Sequence, residues 1–263
     1  GTFFMNFAMA LLGGRRGGPA KVSILASGFF GSLSGSGISN VISTGSMTIP
    51  TMKRSGYPPH YAGAVEACAS TGGTLMPPVM GAVAFIMASF LNVAYTQVML
   101  AALVPAVLLY LVLLLQADAY AARVGLKGLP RAELPHLGAT LKQGWVYLLS
   151  LALLVYLLVF ERIESMAPFY AALLLLATAV VLQKGLGRVR IAIDMAVEAG
   201  VNIANLVAIL AGIGLIVGSL SMTGVGTAFS RELVNYAGDN ILLLLALGAL
   251  TSFILGMGMT VSA

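Results

Sequence analysis

The stretch Gly31–Pro50, GSLSGSGISNVISTGSMTIP, is crowded with Gly, Ser and Thr although it lies between apolar runs. At membrane depth, irregular backbone survives only when it is buried in protein or lines a wet cavity, because each unpaired backbone group costs several kcal/mol. The stretch therefore predicts a re-entrant helical hairpin, residues 19–52, whose tip offers hydroxyls, carbonyls and helix-end amides to an ion or anion. The alternative is a close helix–helix contact of small residues, which is common in membranes. The candidate tip residues are Ser32, Ser34, Gly35, Thr44 and Gly45.

The composition is that of an all-α polytopic membrane protein. Of the 263 residues, 59% are hydrophobic and 9% are charged, and the mean hydropathy is +0.98; soluble domains carry about 25% charged residues. The apolar runs have the length that a bilayer core requires and lack the alternation of an outer-membrane barrel. The net charge of +5 indicates basic cytoplasmic loops in a lipid bilayer and not a nucleic-acid partner. The chain opens inside an apolar run and stops in a polar patch, which we interpret as a fragment cut at both ends.

The apolar runs predict a series of membrane elements within one domain. In chain order they are the end of a transmembrane helix (1–12), the hairpin (19–52), a broken transmembrane helix (61–90), a transmembrane helix (94–116), a cytoplasmic connection (117–143), transmembrane helices (144–160 and 167–183), an interfacial segment (184–198), a transmembrane helix (200–224), a polar loop holding Arg231, Glu232 and Asp239, and the start of a second re-entrant hairpin (241–263).

The break within residues 61–90 is predicted at Thr71–Pro78, TGGTLMPP. Two glycines and two prolines within eight residues do not continue a regular helix. Each flank is too short to span a bilayer alone, so we favour unwound backbone at mid-membrane over a surface loop between two short helices.

The distribution of basic residues orients this layout. If the connection 117–143 is cytoplasmic, the segments 13–21, 53–54, 117–143 and 184–198 share its side and hold 12 of the 14 Lys and Arg residues. That bias is the one that the positive-inside rule expects. The two predicted hairpins then enter from opposite sides, which is typical of an inverted-repeat transporter with its site near the midplane.

Four segments of the chain resemble one family closely. They are GGPAKV (17–22), GSLSGSGISNVISTGSMTIPTMKRSGY (31–57), AGAVEACASTGGTLMPPVMGAVAFIMASF (62–90) and the terminal GMGMTVSA (256–263). The family is the large membrane subunit of tripartite ATP-independent periplasmic (TRAP) transporters, in the fused form that works with TAXI-type binding proteins. In the terminal segment Thr260 follows Met259, where the family pattern has proline.

The resemblance implies one permease domain of a secondary active transporter for organic acids (carboxylates) in the inner membrane. It implies an elevator motion, coupling to a sodium or proton gradient, a periplasmic TAXI-type substrate-binding protein, and a small membrane subunit or its fused equivalent. By similarity, a first ion site is formed by residues of the hairpin and of the break, and the second hairpin tip binds an ion or substrate. The first-site residues are Ser36, Gly37, Asn40, Thr71, Gly72, Gly73 and Thr74, and those of the second tip are Gly256, Gly258, Thr260 and Ser262.

Glu66 is the only acidic residue inside a predicted span. A carboxylate in a membrane is functional by default, so Glu66 is a candidate for a proton or ion role; the alternative is a wet, structural position near a helix end. No Ser/His/Asp arrangement or transition-metal spacing stands out, and we expect neither an enzyme nor a bound cofactor. The remaining alternative is an ion channel, or another carrier with re-entrant loops that does not depend on a binding protein.

Overall fold

The computed structural model describes residues 2–161, 163, 166–182, 187–238 and 240–257. All regular structure within these residues is helical, which confirms the all-α class. Within this described part of the chain, three helical stretches are long and apolar enough to cross a membrane: Tyr95–Val124, Arg131–Val159 and Ile193–Thr223. The chain divides into two compact units, Gly1–Val189 and Arg190–Ala263.

The first unit begins with a short helix and a helical hairpin. Their bounds are α1 Thr2–Leu12, α2 Gly18–Ser34 and α3 Gly37–Arg54. Gly35 ends α2 in the left-handed conformation with φ +61°, a geometry that glycine adopts without steric cost. Ser36 then starts α3, where its Oγ accepts a hydrogen bond from Ser39 N at 3.2 Å. The two arms are therefore joined by a turn of only two residues.

The broken helix follows as α4 Pro59–Gly73 and α5 Ala82–Leu91. The break begins after Gly73 and not at Thr71 as predicted, because Thr71–Gly73 form the last turn of α4. Three further amides, Thr74 N, Leu75 N and Met76 N, still bond to carbonyls three residues back at 3.0–3.1 Å. The helix stops where Pro77 and Pro78 supply no N–H donor.

Three long or apolar helices complete the first unit: α6 Tyr95–Val124, α7 Leu137–Val159 and α8 Ala167–Leu182. The predicted boundaries at 116 and 144 both fall inside helices, since α6 continues through the polar turn Gln116–Tyr120 and α7 starts seven residues early. One face of α6 exposes Leu100, Val104 and Leu108. Because α6 is long and apolar enough to cross a membrane, these exposed aliphatic side chains indicate that this face contacts lipid.

The second unit differs from the predicted layout at two points. A continuous helix, α9 Gly187–Thr223, replaces the separate interfacial segment 184–198 and span 200–224, and residues 183–186 lie outside the described chain. The predicted polar loop is instead the helix α10 Val225–Ala237, whose apolar and polar residues separate onto two faces as in an amphipathic helix. The final helix is α11 Ile241–Gly256.

The core that holds α2, α3, α4 and α6 together combines large side chains such as Ile24 and Met52 with small ones. Ala20, Ala62, Ala69 and Ala117 are almost completely buried in it. Membrane helices approach closely at such residues, because lipid provides no hydrophobic drive and packing must supply the contact energy.

Charged and aromatic groups close the base of the hairpin. Asp118 of α6 pairs with Arg16 and with Lys21, whose Nζ lies 2.5 Å from the carboxylate. The Tyr57 hydroxyl, in the loop between α3 and α4, donates to Gly17 O at 3.2 Å. Burial raises the pKa of Tyr57 to about 12, so this donor stays neutral. The ends of both hairpin arms are thereby fixed to α6 and to the segment before α2.

Candidate functional site

Polar residues line one face of each of three packed helices. They recur every fourth residue, at Ser23 and Ser27 of α2, at Asn40, Thr44 and Thr48 of α3, and at Glu66 and Ser70 of α4. Residues four apart lie on one face of an α-helix. All seven side chains are buried, so the three polar faces meet in the interior of the unit.

The Glu66 carboxylate lies at the centre of this junction and has no exposed surface. Five hydroxyl oxygens lie within hydrogen-bonding distance of it: Ser23 Oγ and Thr48 Oγ1 at 2.6 and 2.5 Å from Oε2, and Ser27 Oγ, Thr44 Oγ1 and Ser70 Oγ at 3.0, 2.5 and 3.0 Å from Oε1. We call these six residues the Glu66 cluster. Burying a carboxyl group is tolerated only when it is hydrogen-bonded, and here every partner is a neutral hydroxyl.

Asn40 links the Glu66 cluster to the hairpin. Its Nδ2 donates to Ser27 O at 2.8 Å, across the two arms. Thr44 Oγ1 lies 2.8 Å from Asn40 O and 3.2 Å from Asn40 Oδ1. Asn40 is fully buried. Its amide holds α3 against α2 one helical turn before Thr44, which contacts Glu66.

Glycines allow the three helices to approach this closely. A Cβ on Gly73 would lie 2.7 Å from Gly31 Cα and 2.9 Å from Asn40 Nδ2. A Cβ on Gly45 would lie 3.0 Å from Glu66 Cγ. Larger residues at these positions would force the backbones of α2, α3 and α4 apart.

The hairpin tip contacts the break between α4 and α5. Val79 N donates to Ser32 O at 3.1 Å. A Cβ on Gly35 would lie 2.0 Å from Met80 O, so only glycine fits at this position of the tip. The Tyr95 hydroxyl lies 2.9 Å from Pro78 O and 2.5 Å from Val79 O. The unwound backbone is thus held between the hairpin tip and the start of α6.

The structure brings together part of the predicted first ion site. The start of α3 reaches the end of α4, since a Cβ on Gly37 would contact Ser70 O and Thr71 Cα at 3.5 and 3.6 Å. Asn40 and Gly73 are neighbours, as described above. Ser36 and Thr71 are exposed beside this contact, and Gly72 is buried against α6. The Thr74 hydroxyl bonds to Thr71 O of its own turn at 2.8 Å.

The predicted tip residues separate into two groups. Ser34 and Gly35 do lie at the tip, whereas Thr44 and Gly45 lie at Glu66, about two turns along α3. Ser32 donates to Phe29 O of its own helix at 2.8 Å. In the second hairpin Gly256 is the last residue of α11, and Gly258, Thr260 and Ser262 lie outside the described residues.

Sequence reasoning missed Ser23, Ser27, Thr48 and Ser70. The signal was present, because each lies four residues from another member of the junction on its own helix. The four-residue spacing was hard to recognise in α3, because this helix also carries polar residues outside the cluster, such as Ser39, Ser46 and Thr51. The small-residue contact considered as the alternative is present at Gly31 and Gly73, and the binding of an ion or anion at the hairpin tip stays a prediction.

These features define a multi-pass α-helical membrane protein with a polar site buried between a helical hairpin and a broken helix. The family model described as "Tripartite ATP-independent periplasmic transporter, DctM component" matches residues 1–263. The chain belongs to this family, as its sequence resemblance predicted. Its members are components of transporters and not enzymes.

Curated relatives share part of the chain. It is 34% identical over 151 residues to the C4-dicarboxylate TRAP transporter large permease protein DctM of Pseudomonas aeruginosa, an alignment that covers 57% of this chain and 35% of that protein. It is 29% identical to the sialic acid TRAP transporter permease protein SiaT of Haemophilus influenzae, over 57% and 24%. It is 32% identical to the isethionate TRAP transporter permease protein DctMQ of Oleidesulfovibrio alaskensis, over 47% and 19%. The matched part is therefore about a third or less of each relative's length.

Proposed function

We propose that this chain forms part of the large permease of a secondary active transporter that imports organic acids across the inner membrane. The observation that carries the proposal is the junction of the hairpin with the end of α4, in a chain of the DctM family. Helix ends and unwound backbone that meet inside a membrane protein are the usual site of substrate and coupling ions. The three relatives are named for C4-dicarboxylate, sialic acid and isethionate, which supports an organic anion as substrate.

The proposed transporter has two partners and a coupling ion. A periplasmic binding protein of the TAXI type delivers the substrate, and a small membrane subunit or its fused equivalent completes the scaffold. A sodium or proton gradient drives an elevator motion of the hairpin and the broken helix. The first cation site lies between Ser36–Asn40 and Thr71–Thr74, where Asn40 and Gly73 are in contact.

Reconstitution tests this function against a channel. The full-length permease that contains these residues is placed in liposomes with its small subunit, and the candidate binding protein is added outside. We expect uptake of a labelled carboxylate that saturates, needs the binding protein, and follows an imposed sodium or proton gradient. Conductance that neither saturates nor needs the binding protein would show a pore and reject the proposal.

A further inference from the structure

Thr44, one of the five hydroxyl partners of Glu66, also contacts a backbone carbonyl oxygen of α3. Thr44 Oγ1 lies 2.5 Å from Glu66 Oε1 and 2.8 Å from Asn40 O. A threonine hydroxyl has one hydrogen and therefore donates to only one of them at a time. If Thr44 donates to Glu66, the short contact to Asn40 O lacks its hydrogen; if Thr44 donates to Asn40 O, the contact to Glu66 needs a hydrogen on the carboxyl group.

We propose that Glu66 is a proton-binding site and that its protonation redirects the Thr44 hydroxyl. When a proton taken from water is bound at Oε1, Glu66 donates to Thr44 and Thr44 donates to Asn40 O. When the proton leaves, Thr44 turns to Glu66 and Asn40 O loses that donor. The transition moves one proton and rotates one hydroxyl. The role of this proton site in transport rests on the proposed function, because the site links the charge of Glu66 to Asn40 at the proposed cation site. Proton binding itself does not depend on that function.

The surroundings of Glu66 favour a proton as the neutralising species. Within the described residues its hydrogen-bond partners are hydroxyls, so no basic side chain balances an ionised carboxylate there. An uncompensated buried charge is costly, and such groups neutralise instead. The hydroxyl oxygens touch the carboxyl oxygens directly, and hydrogen-bond separations of 2.5–3.0 Å leave no space for a metal ion between them.

Titratable groups on the packed helices do not change this charge balance. Tyr110 of α6 donates its hydroxyl hydrogen to Ala69 O at 2.7 Å. Lys21 of α2 is paired with Asp118. Of the other titratable groups on α3 and α4, Lys53, Arg54, His60 and Cys68 are exposed, and Tyr61 is half-buried and stacks on Tyr57 and Tyr120.

A small cavity borders Thr48, one of the hydroxyl partners of Glu66. It measures about 50 Å³ and lies between α1, α2 and α3, with Met5, Met9 and Met47 on its apolar side and Thr48 and Thr51 on its polar side. A single water needs only about 10–15 Å³ of such space together with polar partners. Thr48 Oγ1 is also 2.5 Å from Glu66 Oε2, so Thr48 contacts the carboxyl group and lines the cavity.

Infrared difference spectroscopy tests the proton site without requiring transport. Spectra of the full-length permease in liposomes are recorded at about pH 4 and at about pH 9, on the acid and alkaline sides of neutrality. We expect the carbonyl-stretch band of a protonated buried carboxyl, sensitive to deuterium exchange, to disappear at the alkaline end. Glu66→Gln should abolish this band, while the exposed control Glu133→Gln should retain it.

Thr44→Val tests the switch and remains informative if Glu66→Gln does not fold. The variant removes the acceptor of the Glu66 hydrogen, so the band should persist but shift in frequency. A band that Thr44→Val leaves unmoved would overturn the redirected hydroxyl, and the lack of any Glu66-dependent band would overturn the proton site. If the band behaves as expected but no carboxylate uptake occurs, the proposed transport function fails and the proton site stands.

Discussion

Gly31 and Gly73 meet backbone to backbone, and a Cβ on Gly73 would lie 2.7 Å from Gly31 Cα. This contact joins the first hairpin arm to the last turn of α4 directly above the Glu66 cluster. The nearest atom belongs to the backbone of Gly31, so the helix backbones themselves would have to separate.

Gly73→Ala should therefore destabilise the permease. Over-packing a well-packed interior typically costs about 1–3 kcal/mol, and here the clash includes Asn40 Nδ2 at 2.9 Å. The expected result is a lower midpoint of thermal unfolding in detergent. Gly63→Ala on the same helix is the matched control, because a Cβ there meets nothing within 4 Å, and it should be neutral or stabilising by up to about 1 kcal/mol. Equal behaviour of the two variants would contradict the close contact.

Thr48→Val should weaken the Glu66 cluster. The isosteric change removes the hydroxyl at 2.5 Å from Glu66 Oε2, and a lost hydrogen bond to a buried group costs about 1–3 kcal/mol. Thr51→Val is the control, since its hydroxyl donates to Met47 O of the same helix and accepts from the exposed Arg54 at 3.5 Å, outside the cluster. Chemical denaturation of both variants measures the difference; a Thr51 variant as unstable as the Thr48 variant would show that the loss is not specific to the cluster.

Asn40→Ala should impair ion coupling as well as packing. It removes the bond from Nδ2 to Ser27 O and the amide oxygen beside Gly73. In the reconstituted full-length permease we expect a higher sodium concentration for half-maximal uptake. Ser46→Ala, an exposed position on the same helix, should keep the original value. Uptake that follows pH and ignores sodium in both variants would reject the sodium assignment and leave the proton gradient as the driver.

The hairpin should be accessible at both ends from one side of the membrane. With Cys68, which is exposed, replaced first, cysteines at Arg15 and Arg54 should react with an impermeant thiol reagent only from the cytoplasm. A cysteine at Glu161 should react only from outside, because the positive-inside rule places the basic segments in the cytoplasm. Labelling of positions 15 and 54 from opposite faces would require α2 and α3 to form a complete crossing and not a re-entrant hairpin.

The approximate positions of many helices follow from local properties of the chain. Long apolar runs locate α6, α7 and α8, the Gly35–Ser36 turn separates α2 from α3, and Pro77 and Pro78 stop the broken helix, since a missing N–H acts on the residues immediately around it. Exact limits were less predictable: α6 and α7 extend past their apolar cores, and α9 runs through a charged segment, because helical hydrogen bonding continues where no proline or turn interrupts it.

The sequence by itself determined the membrane class, the hairpin, the break and the family, and it singled out Glu66 as a polar residue in an apolar setting. Only the tertiary structure decided what surrounds Glu66. Its hydroxyl partners come from three helices, with Ser23 and Thr48 separated from it by 43 and 18 positions. Hydropathy and propensity act over a few neighbouring residues, whereas this cluster exists only because Gly31, Gly45 and Gly73 let the helices pack closely enough for short side chains to meet.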